Sequence, residues 1–181
     1  MKSFMGEINN PKPAMLLIAV CSRYGEALAW TESRATEQYG PLFLKSPAFE
    51  FIETDYYEAS MGTELKKQFF AFESFIDPSK LPEIKRLTNA WEIEYAQEAE
   101  VSESRPLNLD PGYLTLAKLV LASTKDHAHR IYLQDGIYAE VTLNYRRDGW
   151  RSGDFTFPDY RREDYQQFFS DCRQNLRGPA N

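Results

Sequence analysis

From Ile137 to Tyr145 the chain alternates without a break. Ile137, Ala139, Val141, Leu143 and Tyr145 fall on one side, and Tyr138, Glu140, Thr142 and Asn144 on the other. A period of two marks a strand with one buried face. Two turn signals, Gln134-Asp135-Gly136 and Arg147-Asp148-Gly149, bracket it. The segment therefore commits the C-terminal third to antiparallel pairing and predicts a three-stranded meander. Patterning also selects a register. A two-residue Asp135-Gly136 turn would set Ile131 against Glu140, apolar against charged. A three-residue loop with Gly136 in the left-handed region pairs Leu133 with Ile137, Ile131 with Ala139, Arg130 with Glu140 and Tyr132 with Tyr138, and is the expected solution. It places His127, His129, Ile131 and Leu133 on one face, turned toward the core or a pocket.

Ala14–Cys21, "AMLLIAVC", is a continuous apolar run, as expected of a strand covered on both faces. Glu26–Tyr39 reads as a helix with Gly40 just past its end. Leu42–Tyr57 is strand-like and interrupted by Pro47, which predicts an edge or a bend. Thr63–Phe75 reads as a helix, because Leu65, Phe69, Phe72 and Phe75 recur along one helical face. Ser79 is placed to cap a following helix whose apolar stripe is Leu81, Ile84, Leu87 and Trp91. Residues 96–105, "AQEAEVSESR", form a polar connection expected to be exposed and mobile. Arg161–Leu176 is amphipathic, with Tyr165, Phe168, Phe169, Cys172 and Leu176 at helical spacing, and Asp159 is a plausible cap ahead of it. These elements predict an α+β domain of two layers: a largely antiparallel sheet ending in the meander, with the helices packed on one face.

A chain of 181 residues fits one domain, 1–181, with residues 1–13 as a flexible N-terminus, and needs no disulfide or metal for stability. Cys21 and Cys172 carry no metal or redox spacing and read as free buried thiols. The run before Cys21 is a poor signal peptide, since Pro11 and Pro13 break its approach and bulky Val20 precedes the cysteine. A cytoplasmic protein with no membrane association is the expectation. Net charge is −6. Residues 1–100 carry 10 basic and 16 acidic side chains and residues 101–181 carry 11 of each, which lacks the basic footprint of a duplex nucleic-acid binder.

The chemistry-bearing residues concentrate in "NLDPGYLTLAKLVLASTKDHAHRIYL" (108–133). Asp110-Pro111-Gly112 signals a turn. Residues 115–124 suit either a short helix capped by Thr115 or a strand. Ser123, Thr124 and Lys125 offer hydroxyls, an ammonium and backbone amides in one loop, a combination suited to phosphate. The spacing of a P-loop is absent, and "TKD" falls one residue short of a T-K-x-D guanine-reading element. His127 and His129, the only histidines, stand two apart on the expected strand, so both imidazoles could ligate one divalent metal with a carboxylate from Glu53–Glu58. Arg130 is a second-rank candidate because pairing with Glu140 accounts for it. No nucleophile–base pair and no G-x-S-x-G occurs. Three readings follow. A small anionic ligand, a nucleotide or phosphorylated metabolite, binds at Asp110, Lys118, Ser123, Thr124, Lys125, His127 and His129. Alternatively, the chain is a metal-dependent enzyme using His127 and His129, or a structural protein that binds a partner through its acidic N-terminal half.

Five segments, "ETDYYEASMG" (53–62), "RPLNLDPGYL" (105–114), "KLVLASTKDHAHRIYL" (118–133), "GIYAEVTL" (136–143) and "FPDYR" (157–161), resemble a bacterial and archaeal family known only as domain of unknown function 4416. The resemblance spans the chain from the first strand to the last helix. It implies a single domain of this length and carries over no catalytic residue. Some members carry a "GTP-binding" label; without a P-loop in this sequence the label adds little, raising nucleotide or phosphate only slightly among the ligands.

Overall fold

The computed structural model describes residues 6–177. Of the N-terminal extension expected over 1–13, residues 1–5 lie outside the described residues, and 6–13 are exposed and form no helix or strand. The elements run β1 (Ala14–Ser22), α1 (Gly25–Tyr39), β2 (Leu42–Lys45), β3 (Phe49–Glu50), α2 (Glu58–Met61), β4 (Lys66–Ile76), α3 (Leu81–Glu98), β5 (Asn108–Leu114), β6 (Lys118–Ser123), β7 (Ile131–Gln134), β8 (Ile137–Arg146), β9 (Gly149–Ser152) and α4 (Glu163–Leu176). They build one antiparallel sheet of nine strands in the order β2-β4-β1-β5-β6-β8-β7. β3 lies beyond β2 along the outer edge of β4, and β9 shares the outer edge of β8 with β7. The α+β class and the antiparallel sheet are as expected. The meander is rearranged, because β6 takes the inner edge of β8 and leaves β7 and β9 end to end on the other.

The helices divide between the two faces instead of sharing one. Met15, Leu17 and Ala19 of β1 pack with Tyr165, Phe168, Phe169 and Cys172 of α4. Their neighbours Leu16, Ile18 and Val20 pack with Ala27, Leu28 and Ala35 of α1 and with Ile84, Trp91 and Tyr95 of α3. A strand apolar at every position needs a cover on each side, and β1 is such a strand. β4 is another. Phe69, Phe70, Ala71 and Phe72 are all buried, so the segment expected to be a helix is a central strand. Its aromatics matched helical spacing only because both faces of a buried strand are apolar. Before α3, Ser79 is capped rather than capping: the Asp77 carboxylate accepts from the Ser79 N–H at 2.9 Å.

The β7–β8 hairpin also departs from expectation. Asp135 and Gly136 both have positive φ, 52° and 75°, as a two-residue type I′ turn requires. Gln134 pairs with Ile137, and a bulge at Leu133 restores the expected Ile131–Ala139 and Tyr132–Tyr138 pairs. A bulge was the alternative to a longer loop. Because β7 lies at the end of the sheet, all four of its residues are exposed; Ile131, expected in the core, is 72% accessible. In β8 one extra residue intervenes between the Leu119–Leu143 and Val120–Val141 pairs. The bulge reverses the alternation. Ile137 and Ala139 pack beside Leu81 on one face, Leu143 and Tyr145 pack under α4 on the other, and Val141 is exposed. Glu140 and Thr142 are both buried in consequence.

Candidate functional site

The sheet opens between β5 and β6, and that opening makes the site. The two strands pair only over Gly112–Leu114 and Leu119–Leu121, although β5 begins at Asn108 and β6 continues to Ser123. Gly112 sits at the last contact, where a β-carbon would lie 2.2 Å from the Val120 carbonyl oxygen. The expected Asp110-Pro111-Gly112 turn is therefore strand, and its glycine serves close approach. Beyond it Pro111 has no N–H to offer a neighbour. Leu109, whose backbone groups point the same way, is satisfied from α3. Its N–H donates to Glu92 Oε1 at 2.7 Å and its carbonyl accepts from Lys85 Nζ at 2.6 Å. Two side chains thus replace a strand, and no buried backbone group of Leu109 is left unpaired.

A cavity of about 590 Å³ occupies this end of the sheet, within the range of small-molecule sites. Its wall joins the two segments that the sequence singled out separately. Glu53, Thr54, Tyr56 and Tyr57 come from the loop after β3; Ser123, Thr124, Lys125 and His127 come from the loop after β6. Asp110 and Asn108 rise from β5, Lys85 and Asn89 from α3, Lys67 from β4, and Asp159 and Tyr160 from the turn before α4. Phe51, Tyr57, Phe157 and Tyr160 add aromatic surface.

Nearly every charge in the wall is partnered. Lys67 meets Asp159, and both are buried. Lys85 donates to Asp110 Oδ1 at 3.3 Å, and Asn108 Nδ2 to Asp110 Oδ2 at 2.8 Å. Burial acts to raise the Asp110 pKa, but Lys85 and Lys67 outweigh it and hold the carboxylate below its ordinary value. Arg105 pairs with Glu92 at 3.0 Å and donates to Asn108. Burial pushes Glu92 up against the opposing pull of Lys85 and Arg105. Arg130 Nε donates to Glu140 Oε2 at 2.7 Å, with 4% of each side chain exposed. Arg130 also donates to Ser123 Oγ at 2.7 Å and to the Lys125 carbonyl at 3.2 Å. It is thus the expected partner of Glu140 and also a buried strut that shapes the Ser-Thr-Lys loop. Lys125 alone among the lining cations has no carboxylate partner among the described residues. Its ammonium donates to the Tyr56 hydroxyl at 3.0 Å, across the rim of the cavity, and this bond lowers the phenol pKa.

Of the expected ligand residues, Asp110, Ser123, Thr124, Lys125 and His127 share this wall, and Lys118 and His129 do not. Lys118 starts β6 at the end remote from Ser123 and lines a second cavity of about 340 Å³ with His129. The histidines stand in the loop before β7, not on a strand. His129 stacks on Phe155 at 4.6 Å and its Nε2 bonds Glu140 Oε2 at 3.0 Å, while the His127 ring meets it edge-on at 5.9 Å. No group of three or more His, Cys, Asp or Glu side chains is placed to hold a metal ion among the described residues. Residues 96–103 do not hang free either: α3 extends to Glu98, and Glu103 accepts from Arg23 at 2.8 Å and from the Tyr24 hydroxyl. Sequence reading missed Lys67, Lys85, Asn89, Glu92 and Arg105. Only Arg105, within the polar connection, lay near a segment already singled out.

The chain matches, over residues 12–176, the family described as a domain of unknown function (DUF4416). It belongs to that family. No curated protein and no solved structure matches it. The match covers every strand and helix of the sheet, including all walls of the cavity. No helix among the described residues is long and apolar enough to cross a membrane.

Proposed function

We propose that the cavity between β5 and β6 binds a small anionic ligand, a nucleotide or phosphorylated metabolite. The observation that carries this reading is Lys125. In a wall where the other cations are neutralised by carboxylates, it is the ammonium without a carboxylate partner among the described residues, and it lines the cavity with Ser123, Thr124 and His127. Its present partner is a neutral phenol, which an anion displaces at little cost. Aromatic surface from Phe51, Tyr57, Phe157 and Tyr160 suits the rest of such a ligand.

Calorimetric titration with inorganic phosphate, AMP and GTP tests it. Lys125→Ala is expected to weaken binding about 10-fold or more, the worth of one hydrogen bond to a charged group at about 1.5–3 kcal/mol. Lys118→Ala, in the other cavity, is expected to leave affinity within about twofold. Equal affinity of the wild type and Lys125→Ala, or no binding by either, refutes the reading.

A further inference from the structure

The cavity has a second polar pole, opposite in character to its rim. Asp110 lines the same cavity as Lys125 and is flanked by buried Lys85 and Asn108, yet 30% of its side chain is open. A carboxylate offers about four acceptor positions. Lys85 and Asn108 occupy two of them, one on each oxygen. The others are turned to the cavity with no partner among the described residues. Asn89 of α3 shares this floor, half-buried, and its amide has no hydrogen-bond partner among the described residues either. A partly desolvated carboxylate kept charged by two lysines is a standing demand for donors.

We infer that Asp110, with Asn89, determines specificity by accepting hydrogen bonds from hydroxyl or amino groups of a ligand whose phosphate is held at Lys125. This deepens the proposal above and rests on it. The ligand class is then a phosphate ester of a donor-rich skeleton: a sugar phosphate or a nucleotide, which share ribose-type hydroxyls. A phosphate ester with a hydrocarbon tail satisfies the rim and leaves the floor unpaired. Asp110 offers acceptors and no donors, so it suits hydroxyl or amino groups rather than phosphate oxygens, and the phosphate is oriented outward toward Lys125. One pole attracts the anion and the other the donors, which fixes the direction in which the ligand enters.

The test uses the intact protein and four probes: inorganic phosphate, pentyl phosphate, ribose 5-phosphate and AMP. Ribose 5-phosphate is expected to bind the wild type at least about 10-fold tighter than pentyl phosphate, since a hydrogen bond to a charged group is worth that much. Asp110→Asn is expected to abolish this ratio while leaving phosphate affinity within about threefold. Asn89→Ala, which leaves the Lys85–Asp110 pair intact, is expected to reduce the ratio and serves if Asp110→Asn does not fold. AMP tighter than ribose 5-phosphate marks the ligand as a nucleotide, and the reverse marks a sugar phosphate. Equal binding of pentyl and ribose phosphates to the wild type overturns the role of Asp110 and leaves the anion site standing. If none of the four binds, both fall.

Discussion

Replacing Asp159 with alanine isolates an ammonium inside the protein. Lys67 and Asp159 expose only 7% and 4% of their side chains, and the Lys67 ammonium also lies 4.3 Å from the centre of the Phe51 ring and 5.1 Å from that of Tyr160. Burial acts to lower the Lys67 pKa, but Asp159 outweighs it and holds the value above that of an ordinary lysine. Breaking a buried pair from one side costs about 3–5 kcal/mol. The two rings remain, and a cation over an aromatic face retains roughly 1–2 kcal/mol; the adjoining cavity also lets water reach the amine. A loss of about 3 kcal/mol is therefore expected, which for a domain of this size lowers Tm by roughly 6–12 °C. Lys67→Met combined with Asp159→Leu is expected to recover most of it, because well-packed apolar replacements of buried pairs are neutral or better. Urea unfolding followed by circular dichroism measures all three. A raised folded pKa makes the contribution of the pair complete below the unfolded lysine value near ~10.4. It fades as pH rises through the folded value. The gap between wild type and double variant should hold from pH 6 to 9 and change only in stronger alkali. A loss below about 1 kcal/mol for Asp159→Ala, or a double variant no better than the single one, refutes the assignment.

Gly112→Ala tests the closing point of the β5–β6 ladder. Its β-carbon would lie 2.2 Å from the Val120 carbonyl oxygen and 2.7 Å from Leu121 Cδ2, and a loss of about 2–3 kcal/mol in the same unfolding assay is expected from the forced backbone shift. A loss under 0.5 kcal/mol, by that estimate, would mean the strands are not held so close. Cys21 and Cys172 are free and buried, and burial pushes both thiols up to about 12. An aromatic disulfide reagent at pH 8 should titrate neither thiol in the native protein and both in urea; rapid native labelling of either contradicts its burial.

What could be read from the sequence divides along physical lines. Local patterns told truly where one rule governed: β1 from its unbroken apolar run, α1 from its stripe and Gly40, α4 from its aromatic spacing. They failed where two structures share a pattern. β4 is apolar on both faces over Phe69–Phe72, and with Leu65 before the strand and Phe75 near its end these residues fit a helix as well as a strand. Pro111 and Gly112 signal a turn by composition and serve instead to end a ladder and to permit close contact. The bulges in β7 and β8 displace Leu133, Val141 and Glu140, and a bulge is invisible to any strict period of two. For the site, the loops announced themselves by their polarity, and residues 53–57 and 123–127 do meet. Of the charged floor only Asp110 did. Lys67 and Asp159 are 92 positions apart, and Lys85 reads as one more polar residue on an amphipathic helix. Such residues acquire meaning only when the sheet brings them together.

The same physics accounts for why the cavity exists at all. A sheet interior ordinarily closes on itself, because each strand satisfies its neighbour's backbone. Here the β5 edge is satisfied from outside the sheet: Pro111 removes one donor, and Glu92 and Lys85 take the two groups of Leu109. Those two charges must in turn be matched, and they are matched by Arg105 and Asp110. The carboxylate that faces the cavity is thus a consequence of holding the strands apart. Fold and cavity draw on one network, so a substitution that closed the ladder between β5 and β6 would remove both the opening and the acceptor at its floor. The Lys125 ammonium stands outside that network, among the described residues bonded only to Tyr56. That this ammonium has no charged partner among them is the reason to look there for a ligand.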